Sequence, residues 1–325
     1  MSKFALLLPL CIAVTLPVEA RSFNAAKTYV EQAFSAGIVM SDSEALTLGV
    51  KSFDPNKLLN INNDQIGSDQ SLEYRRDLVG LSLPYTLDLA DYGLDQNSQL
   101  FLRLSGLSSG QSVEYTPDLE PDYQRETIIG GYAAYRYQYQ LSDDWQLIPG
   151  IGVHLQYFHN DHDYRTRASE LVIKTLLDDV LFNTSAWALS YEPHIKLKYD
   201  TDTTWGSWNA FSSAHYFQGV AWGDANEGDL TGPKGWYMSN GIEAFYTVSH
   251  WGNSVQSLFS SIKRVDIGGG ASGPLTTNHY YEASLGWLMT PPFDSEWIEN
   301  IGIGLNLNYG SALKGGSIVV YFNQQ

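Results

Sequence analysis

Thiols are almost absent from this 325-residue chain, whose one cysteine is Cys11. A disulfide framework is therefore excluded, and so is any site built on cysteine ligands. Past the first twenty residues there is no apolar run of roughly 18 or more, so no transmembrane helix is expected. Basic residues are also scarce. Lys and Arg total 19 against 36 Asp and Glu, for a formal net charge of -17. No basic face is left for nucleic acid, and that class of partner is excluded. What the chain has in quantity is aromatic residues, with 21 Tyr and 9 Trp.

The first twenty residues read as an export leader. Lys3 gives the positive start, Phe4 to Leu16 the apolar stretch, and Val18-Glu19-Ala20 the small-residue cleavage site. Cleavage after Ala20 removes Cys11 and leaves a chain free of thiols. Leu8-Pro9-Leu10 lacks the small residue that a lipoprotein site needs before its cysteine, so no lipid anchor is expected.

Next comes a helical segment, 21–42, with Ala25, Tyr29, Val30, Phe34 and Ile38 recurring at helical spacing. Two placements stay open for it: a periplasmic helix on the rim of a barrel, or a helix threaded into its lumen. From residue 43 to 325 period-two segments take over. The clearest is Trp187 to Tyr199. Trp187, Leu189, Tyr191, Pro193, Ile195, Leu197 and Tyr199 share one face, while Ala188, Ser190, Glu192, His194, Lys196 and Lys198 share the other. Its two aromatic ends lie roughly 28 Å apart along the sheet normal for a strand tilted near 45°, close to the apolar band of an outer-membrane barrel. Trp145 to Tyr157 repeats the same aromatic bracket.

About twelve such segments follow one another, the first a weak one through Leu46, Leu48 and Val50. Long and short connections alternate between them, as in barrels with short periplasmic turns and longer external loops. The expected fold is all-β: a closed transmembrane antiparallel β-barrel of about twelve strands, with the helix in or at the lumen. Closure removes the two edges that an open sheet would expose.

This arrangement resembles the autotransporter translocator β-barrel. Lys314-Gly-Gly316-Ser-Ile-Val-Val-Tyr-Phe322 is similar to the terminal strand read by the barrel-assembly machinery of Gram-negative outer membranes, although Asn323-Gln324-Gln325 follows it. Only about two dozen residues separate Ala20 from the first strand, so the chain looks like the solitary, passenger-free type. The resemblance implies a bacterial outer-membrane address, lipid and the assembly machinery as partners, a monomer, no enzymatic activity, and no self-secretion. A small porin-like channel for polar solutes and a surface-binding or adhesion barrel are the alternatives.

Inward positions on neighbouring strands bring together Arg136, Gln138, His154, Gln156, Glu192, His194, Lys196 and Lys198 as lumen-lining residues. Mutual salt bridging explains such a set most simply; a selectivity surface, or a contact for the helix through Lys27 and Glu31, is the sharper reading. Trp145, Tyr157, Trp187, Tyr199, Trp287 and Tyr309 form the expected lipid-facing girdle. No serine or threonine elbow accompanies His154, His194 and Glu192, so no catalytic residues are assigned. His159-Asn-Asp-His162-Asp163 has metal-friendly spacing, but a solvated loop is its commoner origin, and no metal site is assigned. Gly268 to Gly273 lacks the lysine and following helix of a phosphate loop, and no cofactor is expected. Lys263-Arg264 reads as a basic anchor at a strand end.

Overall fold

A computed structural model describes residues 18–324 apart from 48, 61–62, 68–70, 72–77, 92–95, 116–119, 253 and 294–297. The leader up to residue 17, Leu48 of the first expected strand, and part of the following polar loop lie outside the described residues.

The fold is all-β with twelve antiparallel strands and an N-terminal helix, as read from the sequence, and the sheet curls into a half-barrel among the described residues. Helix α1 (Val18–Ser41) comes first, then strand β1 (Lys51–Phe53), helix α2 (Pro55–Leu59), and strands β2 (Val79–Asp91), β3 (Gln96–Val113) and β4 (Asp122–Gln140). Strand β5 (Trp145–Asp163) leads through a π turn (Ser169–Ile173) and helix α3 (Lys174–Leu177) to β6 (Thr184–Thr203). Strand β7 (Gly206–Gly223), a 3₁₀ turn (Ala225–Gly228), β8 (Lys234–Trp251) and β9 (Ser254–Gly269) follow. Helix α4 (Ser272–Leu275), β10 (His279–Met289), β11 (Ile301–Tyr309) and β12 (Gly315–Phe322) complete the chain.

All twelve strands form one antiparallel sheet in the order β1-β12-β11-β10-β9-β8-β7-β6-β5-β4-β3-β2. Among the described residues its two end strands, β1 and β2, form no ladder with each other. Strands β3 to β9 extend past the apolar band at the long-loop end, because polar segments such as Ser108–Val113 still find ladder partners there.

The two aromatic brackets align in register. Trp145 pairs with Tyr199 and Tyr157 with Trp187, their rings 5.1 and 4.9 Å apart. Trp145, Trp187, Trp287 and Tyr309 are exposed on the outer face, while Tyr157 and Tyr199 are half-buried beside their tryptophan partners. Contacts of this kind contribute about 0.5–1.5 kcal/mol beyond burial.

Helix α1 lies inside the curl of the sheet. Every residue from Ala33 to Val39 is buried, all the way round the helix, as a core helix must be. One side meets β3 to β6: Val30, Ala33 and Phe34 pack on Leu107, Ile128, Phe158, Ala186 and Ala188. The other side meets β7 to β10: Ile38 and Val39 pack on Phe217, Tyr237, Val265, Ile267 and Tyr280. Burying a side chain such as Phe34 or Ile38 contributes about 1.5–3 kcal/mol. The helix enters from the long-loop end, where Lys27 pairs with Asp229 at 2.6 Å. The periplasmic rim placement is therefore overturned.

The first weak strand is also corrected. Leu46 is buried in the lumen cluster, and pairing begins only at Lys51↔Ile318. After Phe322 the tail is tied down, with the Asn323 N–H donating to the Asn300 carbonyl at 2.9 Å.

Candidate functional site

Just beyond α1 the chain crosses the lumen as Ser41-Asp-Ser-Glu-Ala-Leu-Thr47, and among the described residues six of the twelve strands hold it. Ser82 of β2 donates to the Ser41 carbonyl at 2.9 Å. Arg103 of β3 pairs with Asp42 at 3.0 Å, and the Tyr237 hydroxyl of β8 donates to the same carboxylate at 2.7 Å. Lys196 of β6 pairs with Glu44 at 2.8 Å, while Ser239 donates to the Glu44 carbonyl at 2.6 Å. Lys263 of β9 donates to the Ser43 carbonyl at 2.6 Å and pairs with Glu282 of β10 at 2.9 Å. Glu282 in turn accepts from the Thr47 N–H at 2.9 Å and its hydroxyl at 2.6 Å. Tyr280 donates to the Ala45 carbonyl at 3.0 Å. A segment of irregular backbone can sit at this depth only because its polar groups are met this way.

Alternation places the wall residues. Along β6, Ala186 and Ala188 pack with Val30, Ala33 and Phe34 of α1, then Ser190, Glu192 and His194 follow on the same inward face, and Lys196 and Lys198 continue toward the short-turn end. On β5 the inward residues Gly150 and Gly152 make room for the opposite rings. A Cβ at position 150 would overlap the His194 imidazole, and one at 152 would overlap the Tyr132 ring.

Glu192 is wholly buried and accepts from three rings. His154 Nε2 lies 2.9 Å from Oε2, His215 Nδ1 lies 3.0 Å from Oε1, and the Tyr132 hydroxyl donates to Oε1 at 2.9 Å. Tyr132 also stacks on His154 at 4.1 Å and carries the Arg103 guanidinium 4.8 Å above its ring. His215 stacks on Tyr237 at 4.2 Å. The contacts close a loop: Asp42, Arg103, Tyr132, Glu192, His215, Tyr237 and back to Asp42. One buried polar circuit thus joins the wall to the crossing segment.

The lumen set read from the sequence is placed as follows. His154, Gln156, Glu192 and His194 are buried inside the sheet, and Gln156 donates to the Phe34 carbonyl at 3.2 Å. Arg136 sits over the Phe101 ring at 3.7 Å. Arg136, Gln138, His194, Lys196 and Lys198 border a cavity of about 150 Å³ beneath the crossing segment. The helix touches the wall differently from the expectation. Lys27 reaches an outer loop, and the ion pairs to the lumen come from Asp42 and Glu44. His215 was missed, although Asn209, Phe211, Ser213, His215 and Phe217 alternate with it along β7.

Other motifs separate. His159 points outward to Asp161 at 3.1 Å, whereas His162 is buried against Asp122 at 3.2 Å, so the two do not share a face. Lys263 and Arg264 lie within β9, not at its end, and they diverge: Lys263 is buried, and Arg264 is exposed and paired with Asp266 at 2.7 Å. Ser272–Leu275, in the glycine-rich stretch, forms α4 against α1. Ser169 donates to Asp122 at 3.0 Å rather than to a histidine, an arrangement that staples a loop and activates no nucleophile.

Burial pushes the Asp42 carboxyl up, but the Arg103 guanidinium more than offsets it, His215 and the Tyr237 hydrogen bond add to the effect, and the net shift is downward. A carboxylate lowered by folding stabilises above its unfolded value near 4 and loses that contribution as pH falls through the folded value. The stability difference between wild type and Asp42→Asn in micelles is therefore expected to shrink below about pH 4. Parallel melting series above and below that pH check it.

A search of curated proteins finds no match. The family model described as the solitary outer membrane autotransporter beta-barrel domain matches residues 31–324. That match spans the second half of α1, the crossing segment and every strand, and the chain belongs to the solitary outer membrane autotransporter β-barrel domain family.

Proposed function

We propose that this is a non-enzymatic, passenger-free barrel of the outer membrane whose bore is plugged by its own N-terminal helix. The supporting observation is the burial of Ala33 to Val39 between two apolar clusters on opposite walls, with the charged crossing segment beneath them. A helix at rest in an open channel would keep a wet face. In this reading the leader is cleaved after Ala20, and the long loops face outward as in other barrels of this class. The mature N-terminus then lies outside and the C-terminus in the periplasm. The mature chain is a monomer in lipid, assembled through recognition of Lys314 to Phe322 by the barrel-assembly machinery.

A crosslink tests the plug. The Ser35 Cβ lies 3.0 Å from where a Cβ at position 270 would stand, so a local shift of about 0.5 Å brings the pair into the Cβ separation of a disulfide, ~3.5–4.5 Å. After leader removal Ser35→Cys/Gly270→Cys is expected to oxidise nearly completely with only a local adjustment of the 270 loop, and wild type in a planar bilayer is expected to stay closed. Steady conductance by wild type, with no crosslink formed, would instead favour the small polar-solute channel.

A further inference from the structure

Beneath the crossing segment, β6 and β7 bring Glu192, His194 and His215 together, with one donor atom from each within 4.8 Å of the others. All three are buried. The His194 and His215 rings lie 5.2 Å apart and nearly parallel. Their Nε2 atoms are both buried and unpartnered among the described residues. The opposite edges of the two rings are the ones near the carboxylate: His194 Nδ1 is 3.4 Å from the Tyr132 hydroxyl that donates to Glu192. His215 Nδ1 and Glu192 Oε1 are 3.0 Å apart, near the ~3.3 Å edge of a tetrahedron with metal bonds of about 2.0–2.1 Å.

We propose that Glu192, His194 and His215 form a binding site for one divalent transition ion of the zinc class. Two imidazoles and a carboxylate suit zinc, nickel or copper, whereas magnesium and calcium prefer oxygen ligands alone. His154 holds the second Glu192 oxygen at 2.9 Å and acts as the orienting partner that ligating groups commonly have. The Tyr132 hydroxyl, 2.9 Å from Glu192 and 3.4 Å from His194 Nδ1, stands at the same corner. His194 and His215 also border the cavity of about 150 Å³ that reaches Glu299, Asn323 and Gln324 toward the short-turn end. This cavity gives the ion a route in. Bound there, the ion ties β6 to β7 directly under Asp42.

The test is zinc titration of the refolded full-length mature chain in detergent by calorimetry, with cobalt absorption as a second readout. Expected results are saturable binding of one zinc per chain, a tetrahedral cobalt spectrum, a higher melting transition with zinc than with magnesium, and loss of saturable binding in His194→Asn/His215→Asn. His154→Asn is expected to weaken zinc about 10- to 100-fold, and His159→Asn to leave it unchanged. Folding of each variant is checked by its heat-dependent gel mobility. If the double variant does not fold, the wild-type cobalt spectrum and the His154→Asn shift decide. An octahedral spectrum, equal response to magnesium, no saturation, or unaltered affinity in a folded double variant overturns the proposal.

Discussion

Arg103→Ala is expected to destabilise the barrel by about 3–5 kcal/mol, because it strands Asp42 as a buried charge with no cation beside it, met only by the neutral Tyr237 hydroxyl and Glu44 N–H. The pair itself adds less. Desolvation opposes the attraction between two buried ions, so the loss comes mainly from the carboxylate left behind. The double variant Asp42→Asn/Arg103→Met removes both charges and is expected to recover most of the difference. Urea titrations in micelles, followed by tryptophan fluorescence, measure it. A loss below about 1 kcal/mol for the single variant, the level of a surface pair, would show that Asp42 is solvated and that the crossing segment does not brace the wall.

The second large effect concerns the bore. Deleting residues 21–40 removes Val30, Ala33, Phe34, Ile38 and Val39 from both apolar clusters. Leu107, Ile128, Phe158, Phe217 and Tyr237 then face an empty lumen. A planar bilayer is expected to change from closed with wild type to steadily conducting with the shortened chain. The outer aromatic rungs keep the wall in lipid, and heat-dependent gel mobility verifies that it has folded. A shortened chain that is folded and still closed would mean that the crossing segment or the loops seal the bore without the helix.

Why some of this could be read from the sequence and some could not follows from which face carries the apolar residues. On β5 and β6 the outer face is long, apolar and bracketed by aromatics, so register, orientation and the inward set from His154 to Lys198 follow from alternation alone. Strand β7 has the opposite distribution. Its inner face holds Phe211 and Phe217, while Ala210, Ser212 and Ala214 face outward, so the pattern blurs and His215 is hidden. On β9, Leu258 and Phe259 compete for the outer face in the same way. Phe259 turns inward to Phe245 and Tyr321. The crossing segment is harder still. Ser41 to Thr47 has no periodicity, and its partners stand as far away in sequence as Lys196 and Glu282. A stretch that looks like a polar linker is in fact held from six strands.

That fastening constrains the order of events in assembly. A segment gripped at once from β2, β3, β6, β8, β9 and β10 ties six strands together through its side chains and backbone. The staves are then expected to come together around helix α1 and the segment that follows it, with that N-terminal part as the template on which the later strands are hooped.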